Sequence, residues 1–326
     1  LMGDGNLYIH QEFQVQIQCE DCHFEGPAQT LTVNDLDPET RKIHDLRKYP
    51  NGRQFLAIEK SGLAMVNTFA DEAGAKWLES KISGKQFPMN PPAASCTRGD
   101  AHDRLSCKAC HTAWAPQCIG CHNSYDENEP GYDLLTNEHK TGTWVEYTGK
   151  YLAEPPVLGI DERKEIAGEA ERLVTTFING MVLSIDVESY TDDGSEEIFH
   201  RLYAPVSAHT TMREGRSCTS CHNDPLAIGY GRGKLEYIVD GNSGSWHFTP
   251  KFAPNKYDGL PEDSWIGFLQ DRSGWTATRE GVRPFNLAEQ KRILTVGACL
   301  TCHDENSKVM EKSLEDFEGL LKEITE

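Results

Sequence analysis

The 326-residue chain repeats one five-residue pattern, Cys-x-x-Cys-His. Two copies stand together in the stretch CKACHTAWAPQCIGCH, residues 107–122. We number the copies first to fifth in chain order: Cys19–His23, Cys107–His111, Cys118–His122, Cys218–His222 and Cys299–His303. Ten of the eleven cysteines belong to these motifs, and only Cys96 lies outside them. Five copies of one pattern indicate one chemistry used five times.

The pattern is the attachment signature of c-type haem. Two thiols three positions apart can form thioethers with the two vinyl groups of one porphyrin, and the next histidine can bind the iron as proximal ligand. The sequence therefore predicts five covalently attached haems c. The predicted thioether residues are Cys19, Cys22, Cys107, Cys110, Cys118, Cys121, Cys218, Cys221, Cys299 and Cys302. The predicted proximal ligands are His23, His111, His122, His222 and His303.

Other uses of paired cysteines explain the pattern less well. Zinc sites take Cys-x-x-Cys pairs two at a time, so five copies do not divide evenly, and the adjoining histidine has no role. Iron–sulfur ligation meets the same difficulty. A redox Cys-x-x-Cys motif occurs singly near a βαβ pattern, which this sequence lacks. Zinc and disulfides remain the alternatives to haem. For Cys96 we expect a buried free thiol.

Seven further histidines are available as distal iron ligands: His10, His44, His102, His139, His200, His209 and His247. His10 and His209 each precede a motif by the same eight residues, which indicates a reused unit. His102 is too near Cys107 to fold back over its own ring, so we expect it to bind a different haem. Histidine on both faces predicts low-spin, low-potential haems. Met212, the competing sulfur ligand near a motif, is expected to be a packing residue.

The composition limits the classes of partner. The formal net charge is -19, which argues against nucleic acid, because phosphate binding needs clustered Lys and Arg. It favours redox partners with basic docking patches. Hydrophobic residues make up only 38 %, so we expect the haems to replace much of a conventional core. No apolar run reaches the roughly 18 residues that a membrane helix needs.

The order of elements predicts an irregular mixed α+β fold with low regular secondary structure around a five-haem array. Residues 53–83 are typical of a β meander, and residues 172–205 of strands separated by Asn-Gly and Asp-Asp-Gly turns. Residues 161–174 are compatible with a helix. We expect two lobes: 1–149, with three haems and the meander, and 150–326, with a β-rich segment, two haems and a terminal helix.

The end of the chain carries helical signals. Asn286 is placed to cap a helix that runs into the fifth motif. An apolar stripe with 4-3-4-3 spacing then predicts one helix in the tail, formed by Met310, Leu314, Phe317, Leu321 and Ile324.

At its motifs the chain resembles the multihaem c-type cytochromes of anaerobic metal-reducing and sulfur-cycling prokaryotes. The segments that carry the resemblance are RLSCKACHTAWAPQCIGCH, HTTMREGRSCTSCHNDPLAIG and ILTVGACLTCH. The resemblance implies five haems c, electron transfer along closely spaced rings, and a periplasmic, extracellular or cell-surface location, with a signal peptide presumed removed. It also implies possible self-assembly into a filament or a larger cytochrome complex.

Two functions are compatible with this sequence. The first is an electron carrier, not an enzyme, in which histidines close both faces of most haems. The second is a multihaem reductase of a small nitrogen or sulfur oxyanion, with one open haem face lined by cations such as Lys108, Arg213 or Arg216. These cations are more often propionate partners or surface residues.

Overall fold

The structure, a computed structural model, describes residues 7–23, 26–91, 100–163, 172–208, 210–241, 243–272 and 276–325. The chain forms two compact units, Leu1–Arg98 and Gly99–Glu326. The boundary predicted from the sequence was instead between residues 149 and 150. That division would cut through a long strand, because Lys150 is paired with Ile119 in an antiparallel ladder. The paired strands keep the second and third motifs in one unit with the fourth and fifth.

The first unit contains a five-stranded antiparallel sheet in the order β1-β2-β3-β4-β5. The strands are β1 (Thr30–Leu31), β2 (Gln54–Ala57), β3 (Ala64–Ala70), β4 (Lys76–Glu79) and β5 (Gln86–Pro88). The meander expected from residues 53–83 is confirmed. Gly62 and Gly74 adopt positive φ in its two turns, where glycine avoids the steric cost of a Cβ.

Both faces of this sheet are covered. Helix α1 (Pro38–Arg47) is capped by Asp37 and packs His44 against Phe55 of β2. Leu56, the next residue of β2, belongs to an apolar cluster, and Cys22 of the first motif packs against this cluster. Since successive side chains of a strand point to opposite faces, His44 and the first motif lie on opposite sides of the sheet.

The second unit is built on a long antiparallel hairpin that the sequence analysis did not predict. Its strands are β6 (Ala115–Asp133) and β7 (Glu138–Glu154). Strand β10 (Ser184–Asp186) lies parallel to β6, and β11 (Ile198–Phe199) completes this sheet. The third motif therefore lies within a regular β-sheet.

A second sheet in this unit has the order β12-β9-β8-β15. Its strands are β8 (Val157–Asp161), β9 (Leu173–Asn179), β12 (Tyr203–Pro205) and β15 (Val282–Arg283). The strands expected within residues 172–205 are present, but β9 and β10 belong to different sheets, so Asn179-Gly180 does not join a hairpin. A separate hairpin consists of β13 (Gly233–Asp240) and β14 (Ser243–Pro250).

The interior of the second unit is an aromatic core. Trp265 is fully buried and stacks on Tyr203, with ring centroids 4.8 Å apart. Phe177 packs on the same indole at 4.7 Å. This unit therefore has a conventional core of its own, whereas the low apolar content led us to expect that haems would replace much of it.

The described part of this unit also contains seven α-helices. They are α2 (Cys107–His111), α3 (Glu188–Thr191), α4 (Thr219–His222), α5 (Pro225–Ile228), α6 (Leu287–Leu300) and, in the tail, α7 (Lys308–Glu315) and α8 (Phe317–Thr325). As predicted, Asn286 caps α6, in a capping box with Glu289. The tail is two helices instead of the single one expected. Asp316 leaves the helical conformation, and its carboxylate accepts a hydrogen bond from the N–H of Gly319, which starts the second helix.

Within the described residues, no helix has both the length and the apolar character needed to cross a membrane. Three expectations fall outside those residues: Cys96, His209 and most of the helix considered for residues 161–174. Where that segment is described, Asp161 ends β8 and Leu173 begins β9.

Candidate functional site

Four of the five motifs form a helical turn. The second motif is helix α2. In the first, fourth and fifth motifs, the histidine N–H donates to the carbonyl of the first cysteine, at 2.9 Å in each case. Residues three apart in a helical turn lie on the same face. This geometry brings the two thiols of a motif to one side, as attachment to a single porphyrin requires.

The third motif has a different local structure, because it lies on strand β6. Cys118 and Cys121 pair with Tyr151 and Thr148 of β7. In a regular strand, residues three apart point to opposite faces. Gly120 lies between the two cysteines and adopts a φ of +68°, which departs from the regular extended conformation. The fit of this motif to one porphyrin is therefore poorer than that of the other four.

The thiols of the motifs are available for covalent chemistry. None of the ten described cysteines forms a disulfide. Burial raises the pKa of Cys22, Cys121 and Cys299 above its usual range, and raises the pKa of Cys221 to about 11. These four groups are therefore neutral thiols near pH 7.

Three of the predicted proximal histidines are held by their Nδ1 atoms. In His111, Nδ1 lies 3.2 Å from the carbonyl oxygen of Met212, and in His222 it lies 2.9 Å from that of Ile293. A carbonyl oxygen can only accept, so Nδ1 carries the proton in both rings and Nε2 keeps its lone pair. This is the tautomer that binds a metal through Nε2.

His122 is held by a side chain and has an acidic neighbour. Its Nδ1 lies 2.8 Å from the hydroxyl oxygen of Ser184 and 3.5 Å from a carboxylate oxygen of Glu197. Hydrogen bonds from Tyr257 and Lys256 lower the pKa of Glu197 to about 2, so its carboxylate is ionised at neutral pH. A side-chain hydrogen bond with Ser184 also lowers the pKa of Glu197, so the Ser184 hydroxyl links the imidazole to the anion.

The structure brings His102 and His222 together. Their ring centroids are 6.3 Å apart. A metal–imidazole bond measures about 2.0–2.1 Å, and the ring centre lies about 1 Å beyond the nitrogen, so two imidazoles on opposite sides of one metal have centroids about 6 Å apart. The observed separation is compatible with this value, and the two ring planes are inclined by 70°. His102 precedes the second motif in the sequence, yet its ring is near that of the fourth motif's histidine. Its assignment as a distal ligand stays a prediction.

The other predicted distal ligands are placed less favourably. His44 is buried with an unpartnered Nε2, but it lies on the face of the sheet away from the first motif. His10 is half-buried, with its ring 5.8 Å from that of Phe13. His139, His200 and His247 are exposed. Of the predicted proximal ligands, His23 and His303 are exposed as well.

The segment that precedes the fourth motif runs beside the second. The N–H of Met212 donates to the carbonyl of His111 at 2.8 Å, and the N–H of Arg216 donates to that of Cys110 at 3.0 Å. A Cβ on Gly215 would lie 3.9 Å from the Nε2 of His111 and 3.7 Å from the Cβ of Cys110. Glycine therefore leaves open the space beside the metal-binding edge of this imidazole.

The fourth and fifth motifs are also neighbours. Helix α6, which leads into the fifth motif, supplies the Ile293 carbonyl that holds His222. The side-chain amide of Asn223 donates to the carbonyl of Gly297 at 3.1 Å. The N–H of Cys218 donates to Glu305, just after the fifth motif, at 3.2 Å. The fourth motif thus contacts the elements that carry both the second and the fifth.

The five motifs differ in how well their geometry fits haem c. The fourth motif fits an iron porphyrin, because its paired thiols lie on one face, the Nε2 of His222 keeps its lone pair, and the ring of His102 is nearby. The second motif has paired thiols and an Nε2 lone pair on His111, which favour a porphyrin there as well. The third motif has a suitable histidine but a strand geometry at its cysteines. We find no comparable support at the exposed histidines of the first and fifth motifs.

The residues that hold these histidines were missed by sequence reasoning. Ser184 and Glu197 contact His122 from far away in the sequence, and no spacing rule connects them. Met212 and Ile293 hold the histidines through main-chain carbonyls, which every residue has. Their side-chain types therefore do not indicate this role in the sequence. The role of Asp21 was missed as well, although it lies inside the first motif: it is buried and accepts hydrogen bonds from the N–H groups of Gln18 and Glu59.

Comparisons of this chain with protein families, with characterised proteins and with solved structures found no match. Only the motifs and their geometry therefore bear on the function of this chain.

Proposed function

We propose that the protein is a multihaem c-type cytochrome that carries electrons along closely spaced haems between redox partners. The observation that carries the proposal is the 6.3 Å separation of the His102 and His222 ring centroids, which is compatible with two imidazoles that share one metal. The predicted proximal histidine of the fourth motif is thereby near one of the predicted distal ligands.

The pairing favours electron transfer over substrate reduction at this site. If His102 and His222 both bound the iron of a haem held at the fourth motif, no ligand position would remain there for a substrate. A bound haem supplies an iron that gains or loses one electron. The protein's part is to hold the ligands, to tune their basicity through Nδ1 and to fix the spacing of the motifs.

The arrangement of the motifs supports passage of electrons through the second unit. The fourth motif contacts the segment beside the second motif on one side and the helix of the fifth on the other. Porphyrins attached at adjoining motifs would be neighbours. We propose the order second, fourth, fifth for this part of the array, with the fourth in the centre.

The proposal includes location and partners. Haem c is attached outside the cytoplasm in the class that the chain resembles, so we propose a periplasmic or extracellular protein. A formal net charge of -19 favours redox partners that present basic docking patches. Assembly into a filament or a larger cytochrome complex is compatible with this role.

Intact-mass analysis of the purified protein, combined with its visible spectrum, tests the proposal. We expect covalently added haem mass at a stoichiometry approaching five per chain, and a low-spin spectrum that does not change with cyanide or carbon monoxide. A polypeptide without added mass would refute haem attachment. Oxidation of the reduced protein by nitrite or tetrathionate would instead favour the reductase.

A further inference from the structure

We propose that strand β7 pairs in antiparallel orientation with β7 of a second copy of this chain, so that the β6–β7 sheets of two molecules continue into one another. This inference deepens the proposed function, because it names a surface for the assembly considered there. It rests on that function only where the haems are concerned.

Strand β7 has a long unpaired edge. In the described part of the chain it pairs only with β6, and it ends the sheet order β11-β10-β6-β7. It contains 17 residues, whereas strands are usually about 3–10 residues long. From Thr143 to Glu154 its register with β6 does not shift. Such an edge presents a row of N–H and C=O groups to which another strand can bind.

The devices that usually protect an edge strand are scarce here. Strand β7 contains no proline, and its register irregularity with β6, near Pro130, lies toward the tip of the hairpin. Three aromatic side chains of the regular part are exposed: 42 % for Trp144, 52 % for Tyr147 and 74 % for Tyr151. Aromatic residues are enriched at protein–protein interfaces, so this strand has the character of a contact surface.

One face of β7 complements itself in a single antiparallel register. When Thr148 faces the partner's Thr148, Glu146 faces the partner's Lys150, and the two-fold symmetry repeats this ion pair. Trp144 then faces the partner's Leu152. Paired threonines and opposite charges are favourable when they are directly opposed in an antiparallel pair. A shift of the register by two residues in either direction separates the two charges.

The other face of β7 is complementary in the same register. Val145 faces the partner's Tyr151, and aromatic residues pair favourably with β-branched ones. Tyr147 faces the partner's Gly149, an arrangement in which an aromatic ring covers an edge glycine. One register therefore satisfies both faces of the strand. This self-complementarity favours a second copy over an unrelated extended segment.

The pairing would join two haem arrays at their third motifs. Thr148, at the two-fold axis, is paired with Cys121 of β6. The two β6 strands would be three strand spacings apart, so their Cys121 residues would lie about 14 Å from each other. An electron could then pass between the haems held there. One iron is oxidised and the other reduced, and no covalent bond changes.

Sedimentation velocity of the intact, haem-loaded protein over a range of concentrations tests the interface. The variants are E146K, K150E, the double variant E146K/K150E, and E138K. Each of the first two places like charges opposite one another, whereas the double variant restores an attractive pair with its sign reversed. E138K is the control, because it makes the same change of charge on an exposed residue of β7 outside the paired stretch.

The ionic strength of the measurement matters, because the formal net charge of -19 opposes association of any two copies. At physiological ionic strength, charges more than about 8 Å apart are largely screened, while directly opposed charges still interact. The comparison is therefore made under that condition.

We expect the wild type, the double variant and E138K to form dimers. E146K and K150E should each raise the dimer dissociation constant about tenfold or more, because each change makes two symmetry-related pairs repulsive. A wild-type protein that stays monomeric at its highest soluble concentration would overturn the inference. Dimers that persist equally in E146K and K150E, or a double variant as weak as the single ones, would overturn it too.

Intact mass of the same samples separates this inference from the proposed function. Monomeric protein with covalently attached haem refutes the β7 interface alone. Protein without haem refutes the proposed function, whatever its size in solution.

Discussion

Gly297 of helix α6 lies directly against the main-chain carbonyl of His222. A Cβ built on Gly297 would be 2.6 Å from that oxygen, closer than real Cβ atoms approach. The helix that leads into the fifth motif thus approaches the main chain of the fourth motif's histidine closely. The spacing of these two motifs depends on the absence of a side chain at one position.

The first prediction concerns this contact. Alanine at an exposed position inside a helix is normally more stable than glycine by about 0.5–1 kcal/mol. In G297A the clash with the His222 backbone opposes this gain, and forcing an extra methyl group into a packed site costs about 1–3 kcal/mol. We expect G297A to lower the free energy of unfolding, measured by urea denaturation of the haem-loaded protein.

G52A is the matched control, because a Cβ on Gly52 would have no heavy atom within 4 Å. It should leave the free energy of unfolding unchanged or slightly higher. Equal stability of G297A and the wild-type protein would show that α6 can move away from the fourth motif.

The second prediction tests the histidine pair. H102A removes one of two imidazoles whose centroids are 6.3 Å apart, so it should open one face of a single iron. We expect one haem of the array to become high-spin and to bind carbon monoxide or cyanide, while the haem content stays that of the wild type. Visible and electron paramagnetic resonance spectra measure this change.

H139A serves as the control for H102A, since His139 is exposed on the β6–β7 hairpin beside Tyr132. Its spectra should match those of the wild type. An array that stays entirely low-spin in H102A would contradict the pairing with His222.

The third prediction concerns the carboxylate behind His122. The ionised Glu197 lies 3.5 Å from the Nδ1 of this ring. Its negative charge favours the oxidised, more positive iron and so lowers the midpoint potential. An imidazole made more basic by this carboxylate would lower the potential as well. E197Q should therefore raise the midpoint potential of one haem in a potentiometric titration.

E188Q removes a similar charge from an exposed residue of helix α3 and controls for long-range effects. A smaller shift in E188Q than in E197Q is expected. If the two variants shift alike, the contact with His122 has no special influence. If neither variant shifts any potential, the third motif carries no haem coupled to this carboxylate.

The fourth prediction concerns acid stability. Burial would raise the pKa of Asp258, but hydrogen bonds and the charge of Arg201 outweigh burial and lower it. Arg201 is almost fully buried and donates to both carboxylate oxygens of Asp258. A carboxyl with a lowered folded-state pKa stabilises the protein above its unfolded pKa, about 3.9, and this contribution is lost as pH falls through the folded pKa.

D258N should accordingly destabilise the protein by about 1–3 kcal/mol near neutral pH, because it removes the anion that pairs with the Arg201 guanidinium. Arg201 keeps its hydrogen bonds to four main-chain carbonyls. The difference from the wild type should shrink below about pH 4. The measurement is the free energy of unfolding as a function of pH. D133N, which removes a surface partner of Lys140, should have a far smaller effect. A pH-independent difference for D258N would contradict the assignment.

Local features were predictable from the sequence because they depend on neighbours in the chain. The spacing of cysteines and histidine defines each attachment motif by itself. Asn286 followed by Glu289 is sufficient for a capping box, and the glycines between residues 53 and 83 mark the turns of the meander. The 4-3-4-3 stripe of the tail correctly indicated helix but did not reveal the break at Asp316.

Tertiary structure decided everything that joins distant parts of the chain. Because of the long β6–β7 hairpin, the boundary between the units follows residue 98 instead of the predicted residue 149, and the third motif lies on a strand. Of the seven spare histidines, only packing could bring His102 opposite His222 and bury His44 on the far side of its sheet. Sequence spacing was sufficient to predict which groups would bind haem, since that chemistry depends on neighbouring residues. Which groups face one another depends on long-range contacts that no local pattern encodes.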